Sequence, residues 1–158
     1  MVPTFGSQPS VDHLTSVQAF RGCTKAQLRE VTRLTEHVKV GEGEILLREG
    51  EDTKELFLIL SGTGEVAQNG KVVNALGPGE FFGELSALCW GPRTATITAV
   101  TDLELLVIGP RVLPTMESIP GFRDALLKGM ANRLRTVDAE LAAVRDDGVE
   151  ASDEEAPR

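Results

Sequence analysis

Glu65-Val66-Ala67-Gln68-Asn69-Gly70-Lys71-Val72-Val73-Asn74-Ala75-Leu76 is the stretch on which the fold turns. Two short runs that suit strands flank Asn69-Gly70, a strong two-residue hairpin signal because a type I′ turn needs positive φ at both central positions. The same texture continues outward on both sides. Residues 38–40, 45–48, 56–60, 94–100 and 103–108 are further short apolar runs. Gly41-Glu42-Gly43, Gly50-Glu51-Asp52, Ser61-Gly62, Gly77-Pro78-Gly79, Gly91-Pro92 and Gly109-Pro110 punctuate them. Many short strands between regular turns predict a sandwich, barrel or jelly roll.

Helices are predicted to flank this β region. Thr24-Lys25-Ala26-Gln27 has the form of a capping box, and Leu28, Val31 and Leu34 follow at helical spacing, giving a helix over about 25–35. Phe122, Leu126, Met130, Leu134, Val137, Leu141 and Val144 step by fours and threes, giving a long C-terminal helix with Gly148 as its stop. The expected class is mainly β with flanking helices. Residues 1–10 are expected to be disordered, 11–145 to form one domain, and 146–158 to be a disordered acidic tail.

Bulk composition narrows the function. The 158 residues suit one core, and a net charge of −8 argues against a broad nucleic-acid face. No apolar run approaches the roughly 20 residues that span a bilayer. The N-terminus lacks the basic start and apolar run of a signal peptide, so the cytoplasm is the expected compartment. Cys23 and Cys89 lack a CxxC spacing and read as free thiols, Cys89 as an inert buried one. His13 and His37 lie far apart, so neither a metal site nor a Ser-His-Asp set is expected.

One segment breaks the β pattern: Gly79-Glu80-Phe81-Phe82-Gly83-Glu84-Leu85-Ser86-Ala87-Leu88-Cys89-Trp90-Gly91-Pro92-Arg93-Thr94-Ala95. Its centre, 84–88, is too rich in Leu, Ala and Glu for a strand and reads as one helical turn between strands. The first N–H groups of such a turn lack partners and, with the helix dipole, suit an anion. Gly83 lets backbone approach a ligand. Arg93 can meet a phosphate with two parallel hydrogen bonds. Glu84 offers only acceptors, which suit a sugar hydroxyl. Taken singly, an Arg before a strand is a solvated charge and a Glu in a first helical turn merely favours the dipole. Together they match a small ligand with one phosphate and one sugar hydroxyl.

Phe82-Gly83-Glu84-Leu85-Ser86 followed by Pro92-Arg93-Thr94-Ala95 resembles the signature of the cyclic-nucleotide-binding domain family, found in catabolite activator protein, protein kinase A regulatory subunits and cyclic-nucleotide-gated channels. Gly41-Glu42-Gly43-Glu44-Ile45, Gly50, Phe57-Leu58-Ile59-Leu60-Ser61-Gly62 and Leu76-Gly77-Pro78-Gly79 look like that family's turns and strands. The resemblance implies an eight-stranded, jelly-roll-like β-roll with a short phosphate-cassette helix and a long C-terminal helix. It implies that Arg93 pairs with the cyclic phosphate and Glu84 accepts from the ribose 2′-OH. Backbone of Gly83, Leu85, Ser86, Thr94 and Ala95 completes the cradle, and Val66 and Ile97 wall the pocket. It implies cAMP, rather than cGMP, as ligand. Ser86 stands where the family often has Ala, and Trp90, read as a partly covered loop aromatic, stands where Tyr is common.

No catalytic set is visible, so a binding module is expected rather than an enzyme, with no catalytic cofactor. The module is expected to stand alone, without a DNA-binding unit, and to signal to a separate protein effector or buffer the nucleotide. A degenerate β-roll serving as an interaction scaffold is the alternative. Met130, Leu134, Val137, Leu141 and Val144 follow the seam of a coiled coil, and either pack on the β-roll or join a second copy as a homodimer.

Overall fold

A computed structural model describes residues 4–5 and 10–154. A two-residue strand, β1 (Thr4–Phe5), precedes eight more: β2 (Glu36–Val40), β3 (Ile45–Leu47), β4 (Leu56–Ser61), β5 (Gly64–Gln68), β6 (Lys71–Leu76), β7 (Phe81–Phe82), β8 (Thr96–Ala99) and β9 (Leu103–Ile108). They pair antiparallel in two sheets, ordered β1-β2-β9-β4-β7 and β3-β8-β5-β6. The eight strands from Glu36 to Ile108 are the expected β-roll. The helices are α1 (Val11–Thr15), α2 (Lys25–Leu34), α3 (Glu84–Cys89), α4 (Leu113–Glu117) and α5 (Pro120–Glu154).

Local chemistry sets several of these elements. Asn69 and Gly70 adopt φ of 52° and 77° and close the β5–β6 hairpin next to the Gln68–Lys71 pair. Thr24 Oγ1 accepts from the Gln27 N–H at 3.1 Å while Gln27 Oε1 accepts from the Thr24 N–H at 2.9 Å, so the capping box starts α2. The inter-sheet core joins Val38, Val40, Phe57, Ile59, Leu103 and Leu105 to Leu46, Leu47, Leu76, Ile97 and Ala99. β4 is buried at five successive residues, because both of its faces are covered.

β7 carries no signal in the sequence. Two residues are too few to show an alternation, and the strand exists through its pairing with β4, Phe82 opposite Phe57. Its side chains are pinned on opposite faces. Phe82 stacks on Phe57 at 4.8 Å, and Phe81 meets Phe122 edge-on at 5.3 Å. Residues 11–20, given no element by sequence, form α1 and a 3-10 turn (Gln18–Phe20) that bury Leu14, Val17, Ala19 and Phe20. β8 starts at Thr96, two residues later than predicted.

The chain divides into two compact units, Met1–Ala125 and Leu126–Arg158. Within the second, α5 does not stop at Gly148 but runs to Glu154, through most of the acidic segment expected to be disordered. Extending an existing helix is far easier than starting one, and one glycine costs only about 1 kcal/mol. β1 likewise falls inside the first ten residues; residues 1–3, 6–9 and 155–158 lie outside the described residues. Leu134, Leu141 and Val144 are 50–68% exposed, so the predicted stripe is in solvent at these positions, and Leu127 beside it is exposed too. Among the described residues, no helix is long and apolar enough to cross a membrane.

Candidate ligand-binding site

The segment 81–95 departs from the strand pattern as predicted, and its two ends are fixed differently. At the first end, β7 anchors the chain and Gly83 then turns it into α3 with φ of +84°. A side chain there is excluded twice over. The left-handed backbone disfavours any Cβ, and an added Cβ would sit 2.7 Å from Arg93 Nη1 and 2.8 Å from the Glu55 carbonyl oxygen. Glu84 opens α3 and is buried at 6% exposure, Ser86 is buried too, and Leu85 between them faces solvent. Ser86 donates from Oγ to the Pro92 carbonyl at 3.3 Å, which ties α3 to the residue before Arg93. The N–H groups of Glu84, Leu85 and Ser86 form the first turn, the first helical bond being Ala87 N–H to Gly83 C=O.

At the second end, the loop between β3 and β4 holds Arg93 by backbone and side chain. Arg93 N–H donates to Glu51 C=O at 2.7 Å, and Arg93 C=O accepts from Gly50 N–H at 2.8 Å. Its Nε donates to Thr53 Oγ1 at 2.7 Å, Nη1 to Gly83 C=O at 3.1 Å and Nη2 to Glu55 C=O at 2.9 Å. The guanidinium also lies 5.9 Å from the Phe57 ring centroid. Burial lowers the Arg93 pKa, an effect opposed by the charges of Glu55, Glu51 and Glu84. Arginine stays protonated throughout the working range of proteins, so the site holds a buried cation.

The structure therefore brings Phe82, Gly83, Glu84, Ser86 and Arg93 together. Ala95 is buried, while Thr94 is exposed and its carbonyl accepts from Gln68 Nε2 at 3.3 Å. Val66 and Ile97 pair across β5 and β8; Ile97 belongs to the inter-sheet core and Val66 packs against it. Sequence reading missed Gly50, Glu51, Thr53 and Glu55. It registered this loop only as a turn, and nothing in a polar loop announces the distant arginine that it will clamp.

Lys54 joins the same loop to the cassette, donating from Nζ to Gly91 C=O at 2.9 Å and standing 5.6 Å from the Trp90 ring centroid. Trp90 is 81% exposed, not partly covered, and holds φ of 56° as the C-cap of α3. Cys89 is exposed rather than buried. Both differ from expectation because α3 ends there and turns its last residues outward, a direction that sequence periodicity over six residues cannot reveal. No group of three or more His, Cys, Asp or Glu among the described residues is placed to hold a metal ion.

The chain matches the model of the cyclic nucleotide-binding domain over residues 37–116. It is 30% identical over 129 residues to a CRP-like cAMP-activated global transcriptional regulator of Mycobacterium tuberculosis, covering 78% of this chain and 58% of the regulator. It is 33% identical to a cGMP-dependent protein kinase of Eimeria tenella, over 74% of this chain and 12% of the kinase. The chain thus spans little more than half of the first relative and a small part of the second. Among solved structures it resembles the Thermus thermophilus catabolite activator protein, with a TM-score of 0.69 and 28% identity, covering 81% of this chain and 63% of that one. With the β-roll, the inserted α3 and the match over 37–116 in agreement, the chain belongs to the cyclic nucleotide-binding domain family.

Proposed function

We propose that this chain binds cAMP in preference to cGMP and acts as a non-catalytic sensing module. The observation that carries the reading is the burial of two opposite charges, Glu84 and Arg93, on the two ends of one cassette. Buried charged side chains are uncommon, and one donor and one acceptor of this kind beside a short helix suit one ligand carrying both a phosphate and a hydroxyl. Arg93 pairs with the cyclic phosphate, and Glu84 accepts from the ribose 2′-OH. The backbone of Gly83, Leu85, Ser86, Thr94 and Ala95 surrounds the phosphate, and Phe82, Val66 and Ile97 form apolar walls. The preference for cAMP draws on the name of the regulator, a cAMP-activated protein, and stands against that of the cGMP-dependent kinase.

The output is assigned to α5. Met130, Leu134, Val137, Leu141 and Val144 share a heptad seam with Leu127, and the exposure of four of these six supports a seam shared with a second copy. A separate effector protein in the cytoplasm reads the liganded state. The test is titration of the purified chain with cAMP and cGMP by calorimetry. Saturable binding with cAMP tighter supports the reading. Tighter cGMP binding overturns the base preference. No binding of either leaves the ligand-free scaffold as the function.

A further inference from the structure

This inference rests on the reading of Arg93 as the phosphate partner. The Arg93 side chain is 2% exposed and fixed from three sides by Thr53 Oγ1, Gly83 C=O and Glu55 C=O. A fourth partner is of another kind. The Glu55 carboxylate stands 3.4 Å from Nη2, the same nitrogen that already donates to the Glu55 carbonyl, and its side chain is 43% exposed. The pair is therefore unequal: an immobile cation and an anion that can rotate into water. The charges of Glu51 and Glu84 also act on Arg93, besides that of Glu55. An incoming phosphate anion competes with Glu55 for the one guanidinium.

We propose that the Glu55 carboxylate is a built-in competitor that occupies Arg93 until a phosphate displaces it, and that it sets the affinity of the site. The main-chain carbonyl of Glu55 holds Arg93 whatever the side chain, so Glu55→Gln removes the competitor and keeps the clamp. Glu51 is the matched control. Its charge acts on Arg93, and the contact found between the two residues, Arg93 N–H to Glu51 C=O, involves main chain alone and survives Glu51→Gln.

The full chain, Glu55→Gln and Glu51→Gln are titrated with cAMP under identical salt, because exposed charges are screened. The expected result is binding roughly two- to fivefold tighter in Glu55→Gln, a size set by the partial exposure of the competing ion pair, and a smaller change in Glu51→Gln. Unchanged or weaker binding in Glu55→Gln overturns the proposal and makes the carboxylate a support for Arg93. Equal gains in both variants also overturn it, since general charge then explains the effect. Binding by Glu55→Gln where the wild type shows none supports it in the strongest form. Absence of binding in all three proteins removes the phosphate-site reading and this inference with it, an outcome distinct from binding that ignores Glu55.

Discussion

The cassette and the part of α5 beyond Leu126 break the same burial rule in opposite directions. In the cassette, charged and polar side chains are buried: Arg93 at 3% exposure, Ser86 at 3% and Glu84 at 6%. Along α5, apolar side chains are bare: Val144 at 68% exposure and Leu134 at 62%. Scattered exposed leucines are ordinary, but a row at heptad spacing is not, and buried charges are rarer still. The difference teaches what kind of partner each region suits. Buried charge calls for a small polar partner that a rigid frame can surround, and an exposed apolar stripe calls for a large apolar partner that lies along a helix.

The comparison breaks most sharply at Arg93. Arg93→Ala should cost on the order of 2–5 kcal/mol of cyclic-nucleotide binding, measured by calorimetry on protein whose circular dichroism shows it folded. Wild-type affinity in that variant would mean that the buried cation serves the fold alone. The carboxylate comes next. A 2′-deoxy cyclic nucleotide should bind about 1.5–3 kcal/mol more weakly than its ribo form, and Glu84→Gln should shrink that gap. Equal binding of the two ligands to the wild type would sink the hydroxyl contact.

Gly83→Ala probes the frame rather than the charges. The positive φ and the contacts of an added Cβ at 2.7 and 2.8 Å should destabilise the chain by roughly 1–3 kcal/mol and displace the arginine. Thermal unfolding reads the first effect and ligand titration the second. An unaltered melting temperature would show that the cassette is looser than its hydrogen bonds suggest. The smallest effect on monomer stability is expected on the stripe. Leu134→Asn and Leu141→Asn should each change it by no more than about 0.5 kcal/mol, because both positions are exposed, yet abolish a concentration-dependent dimer in sedimentation. A large loss of monomer stability would make the stripe a core face after all.

Much of the fold and of the cassette is legible in the order of residues. Asn69-Gly70 names its hairpin, Thr24 and Gln27 name their helix start, and the composition of 84–88 names an inserted helix. Each is a short-range signal, decided by one or two dihedral preferences or by hydrogen bonds between neighbours in sequence. The outward turn of Cys89 and Trp90, the strand β7 and the helix beyond Gly148 are not legible in this way. A two-residue strand has no period, and a solvent-facing tryptophan looks like a core one in the alphabet of residues.

By itself, then, the sequence determined the longer strands and helices, the turns between them and the identity of the residues that carry charge at the cassette. Tertiary structure alone decided that the loop 50–55 grips Arg93, that Gly83 is closed to any side chain by that arginine, and that Glu55 reaches the same guanidinium. The physical reason is range. Turns and caps are set by forces between near neighbours, whereas the gripping residues lie some 40 positions from Arg93 and meet it only when two sheets have packed around a common core.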